Sequence, residues 1–226
     1  ARVGETVVTG LPLRSAIADL ANRRATSEGA AQARREAAER LGVDPEAPTL
    51  LVTGGSLGAL HVNESMTGGA DALPEGAQVV HLTGRGKDEP VRAAVEAAGV
   101  SDRWHVIDYL TTMEDALAVA DLVVCRSGAG TVAEMEALGL PCIYVPLPIG
   151  NGEQRLNAKD HVEAGGAQLI DDKDFTADFV RSNVFPLLGS TRLAEMAAAS
   201  QSLGRAGAAR ALADLALAQV KEDGHE

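Results

Sequence analysis

The sequence predicts an α/β protein built on a doubly wound parallel sheet, and two observations carry this prediction. Short apolar runs alternate with helical tracts along most of the 226 residues, which is the pattern of βα units in a parallel sheet. Turns rich in small residues directly follow several of these runs. Ligands bind to such sheets at the carboxyl ends of the strands, so we expect a binding site where these turns meet.

The composition limits the classes of function. Hydrophobic residues make up 46% of the chain and aromatic residues 3%, so the core must consist mainly of Ala, Val and Leu. A formal net charge of −12 argues against general nucleic-acid binding. No apolar run approaches the ~20 residues of a membrane-spanning helix. The two cysteines, Cys125 and Cys142, are predicted to be buried reduced thiols of a cytoplasmic protein.

The chain before the first clear strand contains a β-like piece, 6–9, and a helical tract, 15–41, which Gly42 ends. The tract contains five arginines: Arg23, Arg24, Arg34, Arg35 and Arg40. Because these arginines stand among alanines and acidic residues, we expect them to form a solvated helix face.

The remaining elements are predicted from hydrophobic runs and periodicity. The strands are 49–53, 78–82, 104–109, 121–125, a run that ends at Pro146, and 167–170. The helices between them include 88–98, 112–119 and 154–164. The tail, 177–220, is predicted to form three alanine-rich helices broken at Pro186, Gly189 and Gly204.

The stretch 120–148 carries the clearest ligand signal. Its strand leads through Arg126 and a turn of small residues into a helix that is predicted to begin at Thr131 and to end at Gly139. Such a turn leaves backbone N–H groups free beside the positive end of the helix dipole, which suits a phosphate. Arg126 adds positive charge at this point. Glu134, one turn into the helix, is placed to accept hydrogen bonds from two vicinal hydroxyls.

The same stretch fits two other sequence patterns. The residues 131–134 also fit a capping box, in which Thr131 and Glu134 only satisfy the helix terminus, and this alternative stays open. The residues 128–133 match the dinucleotide pattern G-x-G-x-x-G/A. That pattern requires an acidic residue about 20 positions later, but the next strand ends in Pro146 and Leu147 without a carboxylate. A dinucleotide is therefore disfavoured.

A second phosphate-type turn, 54–58, follows the strand 49–53. It also matches the nucleophile elbow G-x-S-x-G of α/β-hydrolases. His105 and His161 have no evident acidic partner in the order that a catalytic triad requires, so a hydrolase is disfavoured. The five histidines of the chain also lack metal-ligand spacing.

Four segments occur in a specific order: GGSLGA (54–59), CRSGAGTVAE (125–134), GLPCIYVPLP (139–148) and EQRLNA (153–158). Together they resemble the donor-binding half of the MurG family, the UDP-N-acetylglucosamine transferases of peptidoglycan synthesis. The resemblance covers nearly the whole chain and implies a Rossmann-like C-terminal domain of a GT-B glycosyltransferase. It implies that 1–14 is the end of an interdomain linker, that 15–200 is the UDP-sugar-binding domain, and that 201–226 is a C-terminal helix and tail.

The resemblance also implies nine donor-binding residues, and Arg126 at the phosphate turn completes a predicted site of ten: Arg14, Ser56, Leu110, Arg126, Ala129, Gly130, Thr131, Glu134, Gln154 and Asn157. In the family pattern, Glu134 would hold the ribose hydroxyls, and the backbone around Leu110 would read the uracil edge. The diphosphate would contact Ser56, Gly130 and Thr131.

Arg14 would lie near the diphosphate, and the sugar hydroxyls would meet Ala129, Gln154 and Asn157. The chain departs from the family pattern at two places. Leu57 stands where the family often has Gln, and Asn-Gly-Glu at 151–153 replaces the more common Asp-His/Arg-Gln.

The implied activity is inverting transfer of N-acetylglucosamine to lipid I, which gives lipid II. No metal or other cofactor is expected, because two helix amino termini and arginine would stabilise the leaving UDP. The catalytic base is expected in an amino-terminal half without a counterpart here, so this chain alone is predicted to bind the donor and to be inactive. The full protein is expected to lie peripherally on the cytoplasmic face of the plasma membrane, with lipid I as its acceptor.

Two alternatives stay open. In the first, the chain is a stand-alone nucleotide-sugar-binding subunit of a split N-acetylglucosaminyltransferase. In the second, it belongs to another GT-B enzyme or to a UDP-sugar epimerase.

Overall fold

A six-stranded sheet forms the centre of the computed structural model, which describes residues 9–55, 58–149, 151–204 and 212–217. The strands are β1 (Thr49–Thr53), β2 (Gln78–Leu82), β3 (Trp104–Ile107), β4 (Leu122–Cys125), β5 (Cys142–Tyr144) and β6 (Ala167–Leu169). All neighbours are parallel, and the order across the sheet is β3-β2-β1-β4-β5-β6. This is a doubly wound order, and its topological switch point lies between β1 and β4.

Helices cover both faces of the sheet. They are α1 (Ser15–Arg24), α2 (Ser27–Leu41), α3 (Leu60–Gly68), α4 (Asp88–Ala97), α5 (Met113–Val119), α6 (Ala129–Leu138), α7 (Glu153–Asn157), α8 (Lys159–Glu163), α9 (Ala177–Phe179) and α10 (Thr191–Gln201). Residues 212–217 are also helical. Short 3-10 turns occur at Ala70–Ala72, Asp172–Asp174 and Phe185–Leu187, and Val180–Val184 is a π-helical segment.

The apolar strand residues alternate between two core layers. In β1, Leu51 belongs to the layer that contains α1, α2, α5 and α6, whereas Leu50 and Val52 belong to the layer that contains α3 and α4. All residues of β1 and β4 are buried, as is usual for parallel strands covered on both faces. The two central strands are therefore fixed within the core.

The predicted strand bounds are largely confirmed. The strands 49–53 and 78–82 have the predicted bounds, while those predicted at 104–109 and 167–170 end at Ile107 and Leu169. The chain leaves β3 at Asp108 because its carboxylate accepts a hydrogen bond from the backbone N of Gly86 at 2.7 Å. Of the predicted β-like piece 6–9, residues 6–8 lie outside the described residues, and Thr9 belongs to no strand.

The prediction of one helix over 15–41 is wrong, because the tract forms α1 and α2. The hydroxyl of Thr26 accepts a hydrogen bond from the backbone N of Gly29 at 3.1 Å and caps the start of α2. A threonine at the N-cap position favours the start of a helix. The alanine-rich sequence on both sides gives no other sign that a second helix begins here.

The prediction of a solvated arginine face is also wrong for Arg24 and Arg34, whereas the Arg40 side chain is paired but 53% exposed. Arg34 forms a two-pronged ion pair with Asp121 at 2.9 and 3.0 Å, and Arg40 pairs with the buried Asp115. The Nε of Arg24 donates to the carbonyl of Leu138 at 3.0 Å, and burial lowers the pKa of the Arg24 guanidinium. Arg24 and Arg34 thus connect α1 to α6 and α2 to the residue before β4 instead of facing water.

Two other helix predictions need correction. The tract 154–164 is divided into α7 and α8 at Ala158. The first predicted tail helix is a short α-helix followed by the π-helical segment, and Pro186 lies inside a 3-10 turn. The second tail helix is α10, capped by the side chain of Ser190. Most of the third predicted tail helix lies outside the described residues, apart from 212–217.

Candidate functional site

A cavity of about 230 Å³ opens at the carboxyl ends of the strands, beside the topological switch point. The ends of β1, β2, β3 and β4 and the first turns of α6 line it. It brings together five of the ten predicted donor-binding residues: Arg14, Leu110, Arg126, Thr131 and Glu134. The predicted location of a site at the strand ends is thus matched by a cavity in the fold.

The turn between β1 and α3 approaches the end of β2 closely. Gly58 has φ +66°, and a Cβ atom at this position would lie 2.2 Å from the carbonyl oxygen of Thr83. Glycine is therefore required here both for its backbone conformation and for space. The side chain of Asn63 in α3 donates to the same carbonyl oxygen at 3.0 Å, which fixes the helix after the turn. The predicted contact Ser56 and the departure at Leu57 lie outside the described residues.

The helix α6 begins at Ala129, two residues before the predicted start. Its N-cap is Gly128, which makes no side-chain capping hydrogen bond, so the capping-box alternative for Thr131 and Glu134 is wrong. The first intrahelical hydrogen bond runs from the N of Val132 to the carbonyl of Gly128 at 3.0 Å. The backbone N–H groups before it, including those of the exposed Ala129 and Gly130, remain at the positive helix end, where anions bind.

Glu134 lies in the cavity, and its carboxylate forms an ion pair with Arg14. The Nε and Nη2 atoms of Arg14 both lie 2.9 Å from the same carboxylate oxygen, Oε1. The Glu134 side chain is 15% exposed and that of Arg14 is 57% exposed. The carboxylate is thus oriented on one oxygen, while Arg14 remains accessible to a ligand.

Arg126 lies at the mouth of the cavity, but its charge is balanced by a partner. Its Nη1 atom donates to Oδ1 of Asp172 at 2.5 Å and to the carbonyls of Val145 and Pro146 at 3.0 Å. The side chain is only 14% exposed. Arg126 therefore holds the ends of β4, β5 and β6 together, while its role beside a phosphate stays a prediction.

The two predicted amide contacts lie outside this cavity. The Oε1 of Gln154 accepts from the backbone N of Leu147 at 3.0 Å, and the Nδ2 of Asn157 donates to the carbonyl of Ser127 at 3.1 Å. Gln154 lines a neighbouring cleft of about 380 Å³. Both amides thus connect α7 to the turns beside the cavity.

One wall of the cavity was recognised in the sequence only in part, at the end of β3, where Leu110 is a predicted contact. The turn after β2, residues 83–87, contributes Gly84, and the end of β3 contributes Asp108 and Tyr109. The guanidinium of Arg85 lies 3.8 Å from the centre of the Tyr109 ring, at a distance typical of cation–π contacts. The glycines directly after the predicted strand 78–82, in the sequence Thr-Gly-Arg-Gly, are the signal that could have identified this turn.

The buried histidines and cysteines are not acids or bases of this site. Burial lowers the pKa of His81 to about 3 and that of His161 to about 4, so both are neutral near pH 7. Cys125 and Cys142 are buried free thiols, as predicted. Burial raises the pKa of the Cys142 thiol well above its ordinary value, which keeps it protonated.

Three carboxylates follow one strand end, which the sequence analysis did not consider as a possible metal site. Asp171, Asp172 and Asp174 follow β6, and two of them have the spacing D-x-D. Asp171 pairs with Arg155, and Asp172 pairs with Arg126. In the part of the chain that the structure describes, no group of three or more potential ligands is arranged to hold a metal ion.

No helix within the described ranges has both the length and the apolar character needed to cross a membrane.

Comparison with known proteins is consistent with this geometry. The family model of the glycosyltransferase family 28 C-terminal domain matches residues 49–216. A protein of Bifidobacterium longum (strain DJO10A), named UDP-N-acetylglucosamine--N-acetylmuramyl-(pentapeptide) pyrophosphoryl-undecaprenol N-acetylglucosamine transferase, is 48% identical over 219 residues, which are 90% of this chain and 55% of that protein. The protein of the same name from Paenarthrobacter aurescens (strain TC1) is 44% identical over 213 residues, with coverage of 93% and 55%.

Solved structures agree with the sequence comparison. The crystal structure of Acinetobacter baumannii MurG has a TM-score of 0.69 and 28% identity, covering 79% of this chain and 52% of that chain. A structure described as a putative UDP-N-acetylglucosamine 2-epimerase from Listeria monocytogenes has a TM-score of 0.59 at 22% identity, covering 81% and 47%, and shows the shared fold alone.

These comparisons confirm the resemblance to the MurG family and the Rossmann-like fold of a GT-B C-terminal domain. The chain spans about half the length of the curated relatives it matches, 55% for the two named above.

Proposed function

The chain belongs to the family of glycosyltransferase family 28 C-terminal domains, and from this membership we propose that it is the donor-binding half of an N-acetylglucosaminyltransferase. The donor is UDP-N-acetylglucosamine, and the acceptor of the whole enzyme is lipid I, which becomes lipid II. The names of the curated relatives support this choice of donor and acceptor.

One observation carries the proposal. Glu134 places a largely buried carboxylate in a cavity at the topological switch point, one turn into a helix whose amino terminus has no side-chain cap. A nucleotide needs these two features side by side, because its ribose offers vicinal hydroxyls and its diphosphate carries negative charge. In this proposal the ribose lies at Glu134 and the uracil at the backbone of Leu110.

The diphosphate lies between the turn after β1 and the first turn of α6. The backbone there, with Ser56, Gly130 and Thr131, provides the hydrogen-bond donors, and each helix end contributes ~0.3–1 kcal/mol at the surface and up to ~2 kcal/mol when partly buried. Arg14 adds charge from an exposed position beside Glu134. Donors fixed before the reaction stabilise the charge that develops on the leaving UDP without reorganising.

The sugar extends from α6 towards α7. Ala129 starts α6, while Gln154 and Asn157 project from α7 and connect it to the surrounding turns. The cleft of about 380 Å³ that Gln154 lines adjoins this path, because Arg126 of the cavity and Asp172 of the cleft form an ion pair. In this proposal the whole protein adds the acceptor site and the catalytic base.

The rest of the assignment is also part of this proposal. The segment 1–14 is the end of an interdomain linker, 15–200 is the donor domain and 201–226 is the C-terminal helix and tail. The whole enzyme works peripherally at the cytoplasmic face of the plasma membrane, where its lipid-linked acceptor is available.

Calorimetric titration of the chain tests the proposal. UDP-N-acetylglucosamine and UDP should bind at one site, and UDP-glucose should bind more weakly because it lacks the N-acetyl group. Equal affinity for the two nucleotide sugars would contradict the assignment of the sugar while leaving that of the nucleotide. Absence of binding by every uridine nucleotide would contradict the proposal as a whole.

A further inference from the structure

A buried chain of hydrogen bonds runs from β3 through β2 to the first turn of α3. The indole Nε1 of Trp104 donates to Nδ1 of His81 at 3.2 Å, and Nε2 of His81 lies 3.0 Å from Oδ1 of Asn63. The Nδ2 of Asn63 donates in turn to the carbonyl oxygen of Thr83 at 3.0 Å. We call Trp104, His81, Asn63 and the Thr83 carbonyl the buried relay. Each of these residues is at most 3% exposed.

The two ends of the buried relay allow only one direction of donation. Indole nitrogen can only donate, and a backbone carbonyl can only accept. Because Nδ1 of His81 accepts from Trp104, the single proton of the neutral ring lies on Nε2 and is donated to Asn63. Asn63 accepts on Oδ1, so its NH2 group faces the Thr83 carbonyl. The amide of Asn63 is thus held in one of its two orientations from both sides.

The carbonyl at the end of the buried relay lies where two turns of the candidate site touch. A Cβ atom at Gly58 would lie 2.2 Å from this oxygen and 3.0 Å from the Cα of Gly84. Gly58 belongs to the turn after β1, and its backbone N donates to the carbonyl of Gly55 at 2.9 Å. Gly55 and Gly84 both line the cavity of about 230 Å³. The buried relay therefore ends at the contact between two turns that line the cavity.

The Thr83 carbonyl is held from the side of β3 as well as from α3. The backbone N of Thr83 donates to the carbonyl of Ile107 at 3.1 Å, which continues the pairing of β2 with β3. On the other side, the backbone N of Asn63 donates to the carbonyl of Ala59 at 2.9 Å and closes the first turn of α3. The side chain of Asn63 therefore sets how far the amino terminus of α3 lies from the end of β2.

We propose that Asn63, oriented by His81 and Trp104, is a positioning residue for the diphosphate of the nucleotide sugar; this inference rests on the donor site proposed above. Asn63 holds the turn 54–58 and the amino terminus of α3 at a fixed distance from the turn 83–87. The backbone N–H groups of the turn 54–58 are then in place for the diphosphate before the ligand arrives, so binding does not have to order them.

Affinities for UDP and for uridine separate this role from a general loss of stability. Uridine has no phosphate, and in our proposal it contacts Glu134 and Leu110, which lie outside the buried relay. Asn63→Leu keeps the size of the side chain but removes both of its hydrogen bonds. Calorimetry should show UDP binding weakened about three- to thirtyfold, the contribution of one partly buried helix end expressed as an affinity ratio, while an NMR titration should show uridine binding changed by less than about twofold.

Ser65→Ala is the matched control in the same helix. The buried hydroxyl of Ser65 donates to the carbonyl of Phe175 at 2.6 Å, and neither residue lines the cavity. This variant also leaves a buried carbonyl without its donor, so it should lower the free energy of unfolding as Asn63→Leu does. It should nevertheless bind UDP and uridine as the wild type does.

The outcomes separate this inference from the proposed function. Absence of UDP binding by the wild type overturns the donor assignment and the inference with it. Wild-type UDP affinity in a folded Asn63→Leu, or an equal loss for UDP and uridine, overturns the inference alone. Asn63→Ala serves as a second variant if the leucine variant fails to fold. The nitrogen chemical shifts of the His81 ring need no variant: a proton on Nε2 is expected near pH 7, and a proton on Nδ1 would overturn the buried relay.

Discussion

Arg14 donates from Nε to Oε1 of Glu134 at 2.9 Å, and its Nη2 atom lies 2.9 Å from the same oxygen. A pair as exposed as this one contributes only about 0–1 kcal/mol to stability, so its main effect is on geometry. It fixes the carboxylate before a ligand arrives and leaves Oε2 for hydroxyl groups. It also couples the segment before α1 to the cavity, because Arg14 directly precedes that helix.

The first prediction concerns Glu134. Glu134→Ala should weaken UDP binding by ~2–4 kcal/mol, or roughly 30- to 1000-fold, because a carboxylate with two hydroxyl contacts is removed. Calorimetry with UDP measures the change. Glu134→Gln is the matched control, since it keeps the shape and an acceptor oxygen but loses the charge. Its affinity for UDP should lie between those of the wild type and the alanine variant. Wild-type affinity in a folded alanine variant would show that Glu134 only holds Arg14.

The second prediction concerns metal. UDP binding should be unchanged in EDTA, since helix ends and Arg14 carry the charge compensation in our proposal. The oxygens of Asp172, in the one D-x-D segment of this strand edge, already face Arg126 and His61. Titrations with EDTA and with added magnesium measure the effect. An affinity that collapses in EDTA and returns with magnesium would contradict the metal-free site.

The third prediction compares two neighbouring arginines of α2. Arg34 bonds Asp121 with two nitrogens and also donates to the carbonyls of Pro45 and Ala47. Arg34→Ala should lower the free energy of unfolding by about 2–3 kcal/mol, because carboxylate and carbonyl partners are left unpaired. Arg35→Ala is the control and should change it by less than about 0.5 kcal/mol, as at exposed surface sites. Denaturant unfolding measures both changes. Equal changes in the free energy of unfolding for the two variants would support a solvated position for Arg34.

The fourth prediction concerns acid stability. The buried His81 accepts from Nε1 of Trp104 at 3.2 Å on Nδ1, and indole nitrogen can only donate. Protonation of Nδ1 would therefore place two hydrogen-bond donors, this N–H group and the indole N–H group of Trp104, against each other. The pKa of His81 is lowered to about 3 and that of His161 to about 4 by burial, against 6.5 for the unfolded chain.

These pKa values predict a loss of folding stability in acid. Below pH 6.5 the unfolded chain binds protons that the folded chain excludes, so stability is lost as the pH falls from about 6.5 towards 4. Each histidine should lower the free energy of unfolding by about 1–2 kcal/mol between pH 7 and pH 5. Urea unfolding at several pH values measures this slope, and His81→Gln or His161→Gln should flatten it. An unchanged slope in both variants would contradict the role of burial.

The sequence predicted the sheet well because its central strands are continuous apolar runs. Thr49–Thr53 and Gln78–Leu82 are buried along their whole length, so no opposing signal obscures them. The break between α1 and α2 was not predicted, because it depends on the single cap at Thr26 in an otherwise uniform tract.

The candidate site was predicted where it lies within one strand–turn–helix unit, as Glu134 does. It was missed where partners are distant in sequence. Asp172 lies 46 positions from Arg126, and Arg34 lies 87 positions from Asp121. No local pattern reports such pairs, because only the completed sheet brings their turns together.

The fifth prediction concerns the chain by itself. We expect it to fold and to bind UDP-N-acetylglucosamine weakly, because the sheet has helices and an apolar layer on each face. We also expect it to transfer no sugar. Transfer needs a general base within hydrogen-bond reach of the acceptor hydroxyl, and in our proposal that base belongs to the amino-terminal part of the whole enzyme.

The assay combines the purified chain with UDP-N-acetylglucosamine and a lipid I analogue, with and without the amino-terminal part of a relative. Turnover should appear only when that part is supplied, since a cleft closed from one side leaves the donor in water and does not orient the acceptor. The variant Glu134→Ala should abolish the complemented activity, which links turnover to the donor cavity. Robust turnover by the chain alone would mean that the base lies within these 226 residues, and that donor binding and catalysis are not divided between two halves.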